Sequence, residues 1–154
     1  ALPMPRWHLY AAKALCVLGV VMAMSLLLAL LTTLAVGAAG LLKPAVAATG
    51  PADIAGYLLL LGRIFLAAWL LVAVQLWVAL RYASFVPGLA VGIGGTFFAV
   101  VATGAKQGVF FPWQMAVNVM GEGWRHDTAL LLGAGLGVVA LTAAIAHLAW
   151  RETR

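Results

Sequence analysis

Three histidines and two nearby acidic residues are the side chains of this sequence best suited to chemistry. His8 lies near the start, His126 in a loop, and His147 near the end of the last apolar stretch. A membrane haem needs paired axial ligands facing each other inside the bilayer, and His147 has no such partner. Glu122 and Asp127, five positions apart, have no nucleophile or metal ligand beside them. We therefore predict no catalytic residue, metal site or cofactor in this chain.

The glycine-rich run 92–95 does not form a phosphate-binding loop. Such a loop needs the pattern GxxxxGK[ST], whereas these glycines have apolar neighbours and no following lysine. The apolar stretches also lack the acidic residue that a proton- or sodium-coupled carrier uses inside the membrane. The chain is expected not to be an enzyme, and any nucleotide energy is expected to come from another subunit.

The composition indicates an integral membrane protein. Of the 154 residues, 66% are hydrophobic and 8% are charged, and the mean hydropathy is +1.11. A soluble domain has about 25% charged residues, so no soluble core would hide this much apolar surface. The net charge of +5 comes from basic residues spread singly along the chain, which argues against a nucleic-acid-binding patch. The single cysteine, Cys16, is predicted to be a small buried side chain.

Four apolar stretches predict an all-α, polytopic membrane protein in which residues 1–154 form one transmembrane domain. Each stretch reaches the length of about 20 residues that crosses a bilayer. The predicted spans cover residues 14–42, 54–80, 85–105 and 128–150. Arg63 lies near one end of the second span, which favours snorkelling to the interface over a place on a substrate path. Gln75 lies deeper, and we expect it to bond to a neighbouring helix.

Small residues follow one helical face in the third span and again in the fourth. Their spacing alternates between four and three positions, which places them on one stripe where helix backbones can pack closely. The first stripe consists of Gly88, Gly92, Gly95, Ala99 and Ala102. The second consists of Gly133, Gly137, Ala140, Ala144 and His147. We predict that the glycines of both stripes are helix-packing positions.

The loop 106–127 is unusually apolar for a connection between spans. Pro112 is placed to start a short helix, and Gly121 and Gly123 are placed to end it. The loop therefore predicts one or two short interfacial helices on the outer side of the membrane. They either form an outer gate that touches an amphipathic substrate or only anchor the protein in the interface, and the sequence leaves both interpretations open.

Basic residues predict the orientation of the spans. With four spans, the side that holds both termini carries Arg6, Lys13, Arg81, Arg151 and Arg154, and the other side carries Lys43, Arg63, Lys106 and Arg125. Because basic residues favour the cytoplasmic side, we predict a multi-pass protein of the cell membrane with cytoplasmic termini. The chain begins at Ala1 without a methionine, so we expect an N-terminal part to precede it.

Three stretches resemble the membrane subunit of ABC-2 type ABC transporters, and more narrowly the bacterial permeases of lantibiotic immunity and peptide export. Residues 1–13, ALPMPRWHLYAAK, are similar to the passage from the cytoplasmic coupling loop into the third of six helices. Residues 75–97, QLWVALRYASFVPGLAVGIGGTF, are similar to the fourth helix, a tight turn and the glycine-rich fifth helix. Residues 110–120, FFPWQMAVNVM, are similar to the short outer helices before the last span.

The resemblance implies the C-terminal part of a six-helix permease, without its first two helices. Two membrane subunits, identical or not, would work with two cytoplasmic ATPases to move an amphipathic peptide or a lipid-like compound outward. The implied ATPase-contact region is Pro3, Pro5, Arg6 and Lys13, and the implied outer gate is Phe110, Phe111, Pro112 and Trp113. The alternative is a non-transporting helical accessory protein whose apolar outer loop docks a partner.

Overall fold

The computed structural model describes residues 6–46, 50 and 53–151, and the regular elements among them are all helical. This confirms the all-α prediction for the described residues. The α-helices are α1 (Arg6–Leu42), α2 (Ile54–Ala67), α3 (Trp69–Arg81), α4 (Val86–Ala102), α5 (Pro112–Asn118), α6 (Trp124–Leu130) and α7 (Gly137–Arg151). Two 3-10 helices, Pro44–Val46 and Lys106–Phe110, and a π-helical turn, Leu131–Leu136, complete the described elements.

α1 is one uninterrupted helix of 37 residues. At about 1.5 Å per residue it is about 55 Å long, which exceeds the roughly 30 Å of a bilayer hydrocarbon core. Its first half packs against the protein through the buried side chains of Tyr10 and Ala14, whereas Leu41 and Leu42 at the other end are each 87% exposed. The Ser25, Thr32 and Thr33 hydroxyls of α1 donate to carbonyls of the preceding turn.

α2 and α3 form one rod with a local break at Ala68. The carboxylate of Asp53 caps the start of α2 by accepting a hydrogen bond from the Gly56 N–H at 2.8 Å. At Ala68 the ψ angle is −10°, well away from the roughly −42° of a regular α-helix. Neither proline nor glycine stands at this position, so the break has no cause in the local sequence.

α3 and α4 are joined by the short bend 82–85 and pack as an antiparallel pair. Pro87 lies in the first turn of α4, where its missing N–H leaves no helical hydrogen bond unmade. α4 ends at Ala102, before the predicted Ala105, because the Thr103 N–H bonds to the Val100 carbonyl and the chain turns into the second 3-10 helix. At 17 residues, α4 is slightly shorter than the roughly 20 residues of a full span.

The last helical segment is continuous from α6 to α7 but changes its pitch on the way. It begins at Trp124, before the predicted Thr128, because Gly123 takes φ +64° and turns the chain out of the α5 region. The π-helical turn Leu131–Leu136 follows α6 directly. A π turn holds its backbone bonds one position further apart than an α-helix, so it inserts one extra residue into the rod.

Three helical segments are long and apolar enough to cross a membrane: Trp7–Leu42, Ile54–Arg81 and Trp124–Trp150. Val86–Ala102 is a shorter apolar helix. Helices satisfy their backbone hydrogen bonds internally, which the bilayer core requires of any spanning segment. These segments support the membrane protein that the composition predicts.

Two separate apolar clusters hold the helices together. The α3 cluster joins α1, α3 and α7 and consists of Ala14, Ala73, Leu76 and Leu141. The α5 cluster joins α2, α5 and α6 and consists of Ala67, Met115, Val119 and Ala129. Both clusters contain alanines, which let helix backbones approach closely, and close packing is the main attraction between helices in lipid.

Cys16 differs from its prediction. Its side chain is exposed on α1, so the prediction of a buried cysteine is wrong. In a membrane helix an apolar residue faces lipid as readily as protein, and apolarity alone does not distinguish the two environments.

Candidate functional site

A cavity of about 780 Å³ lies between α1, α3 and α4, at the end of the bundle where α3 ends with Arg81. We call this the Arg81 end and the opposite end the α5 end. The cavity lies within the range of about 300–1,000 Å³ that is common for small-molecule sites. It is largely open to the outside, and its lining is almost entirely apolar. The lining residues are Val17, Val21, Leu71, Val72, Gln75, Leu76, Ala79, Tyr82, Ala83, Ser84, Phe85, Gly88 and Leu89.

Gln75 places an amide in the wall of this cavity. In the amide orientation that suits both neighbours, its nitrogen donates to the Gly88 carbonyl at 3.2 Å and its oxygen accepts from the Gly92 N–H at 3.1 Å. This confirms the predicted bond between Gln75 and a neighbouring helix. Gly92 leaves the room for it, because a β-carbon there would lie 2.9 Å from the Gln75 amide.

The other two predicted packing glycines of α4 face α3 and α5. A β-carbon at Gly88 would lie 3.8 Å from Ala79 of α3. A β-carbon at Gly95 would overlap the indole ring of Trp113, on α5. At Gly94, in contrast, a β-carbon would meet nothing within 4 Å. The face of α4 that carries the stripe is thus in contact with protein, and the face with Gly94 is open.

Gln114 fixes α5 to the end of α4. Its side chain is 5% exposed, and its amide nitrogen donates to the Ala99 carbonyl and, at 2.8 Å, to the Thr103 hydroxyl. The Thr103 hydroxyl also donates to the Ala99 carbonyl, at 2.9 Å. That carbonyl needs these partners because the Thr103 N–H bonds to Val100 instead of continuing the α-helix. Gln114 therefore caps the C-terminus of α4 from another helix.

The four residues implied as an outer gate lie together at the α5 end. Phe111 stacks on Trp113 with 5.2 Å between ring centroids and meets Phe98 of α4 edge-on at 4.9 Å. Pro112 lies in the first turn of α5. Phe110 is 59% exposed. The segment therefore combines rings packed against α4 with an exposed ring beside them.

The two predicted packing glycines of the last segment lie against the break between α2 and α3. A β-carbon at Gly133 would overlap the Ala67 carbonyl, and one at Gly137 would lie 2.7 Å from Trp69 Cβ and 2.8 Å from Leu70 N. Because no side chain intervenes on the glycine side, the two rods approach through their backbones at this point.

The three histidines lie apart and contact different partners. Trp77 Nε1 donates to His147 Nδ1 at 3.2 Å and joins α3 to α7. His126 Nδ1 lies 2.7 Å from the Val119 carbonyl. His8 stacks on its sequence neighbour at 3.7 Å. Within the part of the chain that the structure describes, no three His, Cys, Asp or Glu side chains come together as a metal site.

Of the implied ATPase-contact region, the structure describes only a part. Pro3 and Pro5 lie outside the described residues, and for Arg6 only the backbone is described, at the start of α1. Lys13 is exposed, and its ammonium group lies 5.5 Å from the centroid of the Tyr10 ring. Lys13 precedes Ala14 of the α3 cluster, so it lies in the half of α1 that packs against α3 and α7.

Two further buried polar groups were not predicted from the sequence. The Trp69 Nε1 and Asn118 Nδ2 atoms are buried and have no hydrogen-bond partner among the described residues. Burial of Gln114 and Asn118 was also missed. A signal for Gln114 was present, because a lone amide two positions after Pro112, in an apolar segment, needs a partner when the segment folds back on a helix.

Comparison of the chain with protein-family models, with curated proteins and with solved structures finds no match. The function is therefore inferred from the cavity, from the way α5 closes over α4, and from the resemblance of the three sequence stretches.

Proposed function

We propose that this chain is a membrane-spanning permease subunit of an ATP-driven, ABC-2 type exporter in a bacterial cell membrane. It moves an amphipathic peptide, of the lantibiotic kind, or a lipid-like compound outward. In this proposal α4 also crosses the membrane, which gives four spans in all, and both termini face the cytoplasm. A separate ABC-type ATPase hydrolyses the nucleotide, and a second permease subunit completes the assembly.

The observation that carries the proposal is the cavity between α1, α3 and α4. An amphipathic compound needs an apolar wall for its chain and a few polar groups that orient its head. The cavity offers an apolar wall from three helices, with the Gln75 amide inside it and the Tyr82 and Ser84 side chains at the bend. In this proposal a compound enters the open cavity from the adjacent lipid leaflet at the Arg81 end.

The packing of α5 on α4 supports the same proposal. Transport by alternating access needs a path that is closed at one end while it is open at the other. Beyond Gln75, the face of α4 is covered where Trp113 lies on Gly95 and where Gln114 caps the helix. Release at the α5 end then requires α5 to move away from α4, beside the exposed ring of Phe110.

Purification from the native membrane in mild detergent tests the assembly. We expect an ABC-type ATPase to co-purify with the full-length protein, to be identified by mass spectrometry, and to hydrolyse ATP. A protein that purifies without nucleotide hydrolysis, and with a different membrane protein instead, would overturn the proposal.

A substitution in the cavity tests the transport path. Leu89 and Val100 both lie exposed on α4, but only Leu89 lines the cavity. In the complex reconstituted into vesicles, we expect Leu89→Trp to reduce accumulation of a fluorescent amphipathic peptide, because the larger indole narrows the cavity. Val100→Trp is the matched control and is expected to retain transport. Equal transport by both variants contradicts the proposed path.

The alternative function is a non-transporting accessory subunit that packs against another membrane protein. The observation in its favour is the far half of α1, where Leu34 and Val36 are exposed and the helix ends in the exposed Leu41 and Leu42. If this function is the right one, co-purification yields a partner without ATPase activity, and Leu89→Trp leaves the function of that partner unchanged.

A further inference from the structure

We propose that the break at Ala68 and the π-helical turn Leu131–Leu136 form one paired hinge. About it, an α5 layer, consisting of α2, α5 and α6, moves relative to an α3 layer, consisting of α1, α3 and α7. The inference goes beyond the proposed function, because the hinge belongs to the fold whether or not the chain transports a substrate.

The two irregular points lie in direct contact. Ala67 ends α2, and its carbonyl lies where a β-carbon of Gly133 would be, inside the π turn. One turn further, Gly137 lies against Trp69, the first residue of α3. Two independent helices are not expected to depart from α-helical geometry at the point where they contact each other. Two neighbouring rods that must bend together need their soft points side by side, as they are here.

The glycines in the π turn and directly after it have two different roles, packing and backbone flexibility. Gly133 and Gly137 are required by packing, because side chains there would overlap or crowd α2 and α3. Gly135 lies between them, and a β-carbon there would meet nothing within 4 Å. Glycine in a helix interior costs about 1 kcal/mol relative to alanine. Gly62 and Gly94 are equally unconstrained, but Gly135 lies inside the π turn, so a flexible backbone at this position acts where the pitch of the rod changes.

The two layers have separate cores, so each can move as a body. The α3 cluster joins α1, α3 and α7, and the α5 cluster joins α2, α5 and α6. Two helical rods run from one layer into the other, at Ala68 and at Leu131–Leu136. α4 contacts both layers, so a movement of the α5 layer also slides or opens the contact that Trp113 and Gln114 make with α4. α1 also contacts α2, but beyond Ala14 the buried side chain on α1 is the small Ala29, which allows sliding.

The indole N–H of Trp69 adds a second reason for a movement at this level. Trp69 directly follows the break, and its Nε1 atom is buried without a hydrogen-bond partner among the described residues. An unsatisfied buried N–H costs about 1–3 kcal/mol. A change of angle between the layers alters the surroundings of this group, and an arrangement that gives it a partner would remove this cost.

Distance measurements by pulsed electron paramagnetic resonance on the full chain in lipid nanodiscs test the hinge. Every variant carries Cys16→Ser, so that only introduced cysteines are spin-labelled. The pair Val139→Cys and Val117→Cys reports across the hinge, because α7 belongs to the α3 layer and α5 to the other. The pair Leu58→Cys and Val117→Cys reports within the α5 layer. All three labelled positions are exposed.

We expect the distance distribution across the hinge to be about twice as broad as the one within the layer. Gly135→Ala is expected to narrow the distribution across the hinge, because it stiffens the π turn. Gly62→Ala on α2 is the matched control, since a β-carbon there also meets nothing within 4 Å, and it is expected to change neither distribution.

Equally narrow distributions for both pairs in the unsubstituted chain would overturn the hinge, as would equal effects of Gly135→Ala and Gly62→Ala. A stronger variant is deletion of Gly135, which removes the extra residue and restores a regular helix between α6 and α7. It is expected to leave one narrow distribution across the hinge. If the deletion prevents folding, the comparison of the two alanine variants still decides.

Discussion

The indole ring of Trp113 occupies the space that a side chain at Gly95 would need. Gly95 lies in the middle of α4 and Trp113 in the first turn of α5, so this contact brings the α5 region back onto the helix that precedes it. Phe111 stacks on the same indole and also touches Phe98 of α4. In lipid such contacts depend on close packing, because exclusion of water contributes little there.

We expect Gly95→Ala to lower the free energy of unfolding by about 1–3 kcal/mol, because the methyl group forces α5 away from α4. Thermal unfolding in detergent measures the change. Gly94→Ala is the matched control on the open face and is expected to leave stability unchanged or slightly higher. Trp113→Ala provides a second check, since in that background Gly95→Ala is expected to become nearly neutral. Similar losses for Gly95→Ala and Gly94→Ala would contradict the contact.

Replacement of the buried Gln114 is predicted to release the end of α4. Gln114→Leu keeps the approximate size of the side chain but removes both donated hydrogen bonds, so we expect a loss of about 1–3 kcal/mol. Gln107→Leu is the control, because Gln107 is exposed on the adjoining 3-10 helix. Hydrogen exchange of the amides near Thr103 reports the effect locally. Unchanged protection there in Gln114→Leu would show that Gln114 does not cap α4.

The spacing of small residues identified the packed face of α4 but not what packs on it. A stripe gives an angular position on a helix, and Gly95 lies on that stripe. Its partner Trp113 comes from a loop whose path depends on Gln114 and on the turn after Ala102. The partner of Gln75 was predictable only in kind, because a buried amide requires some neighbouring helix without specifying Gly88 or Gly92.

The break at Ala68 and the π turn were beyond sequence reasoning for a different reason. Ala68 favours a helix, so local preference does not predict its ψ angle of −10°, and the preceding residue, Ala67, lies against Gly133 of the other rod. The prediction that Cys16 is buried was wrong for a similar reason, since a small apolar side chain can face either lipid or protein. In a membrane protein the polar and apolar pattern locates helices, but the contacts between them depend on shape.

The bond between Trp77 and His147 is predicted to join α3 to α7 with modest energy. A double-mutant cycle of Trp77→Phe and His147→Phe is expected to give a coupling of about 0.6 kcal/mol, the usual size for such bonds in membrane proteins. Unfolding in detergent measures each corner of the cycle. A cycle of Trp77→Phe with Thr142→Val is the control, because the Thr142 hydroxyl bonds to its own helix. A coupling of zero in the first cycle would mean that the bond does not form in the membrane.

The proposed orientation predicts which ends of the helices are accessible from outside the cell. In a Cys16→Ser background, we expect a membrane-impermeant maleimide to label Glu122→Cys in intact cells. Ser84→Cys is expected to react only after the membrane is permeabilised. Both positions are exposed, and α4 lies between them in the chain. Labelling intensity on denaturing gels, before and after permeabilisation, gives the comparison, and the Cys16→Ser parent shows the background.

The other outcomes of this labelling have definite structural meanings. Labelling of Ser84→Cys alone in intact cells would mean that the protein has the opposite orientation. The cavity between α1, α3 and α4 would then lie on the outer side and could not be an entrance from the cytoplasm. Labelling of both positions from one side would mean that α4, at 17 residues, does not cross the bilayer. The protein would then have the three long apolar segments as its spans, and α4 with α5 would form a re-entrant pair. Only labelling of Glu122→Cys alone is compatible with four spans and outward transport.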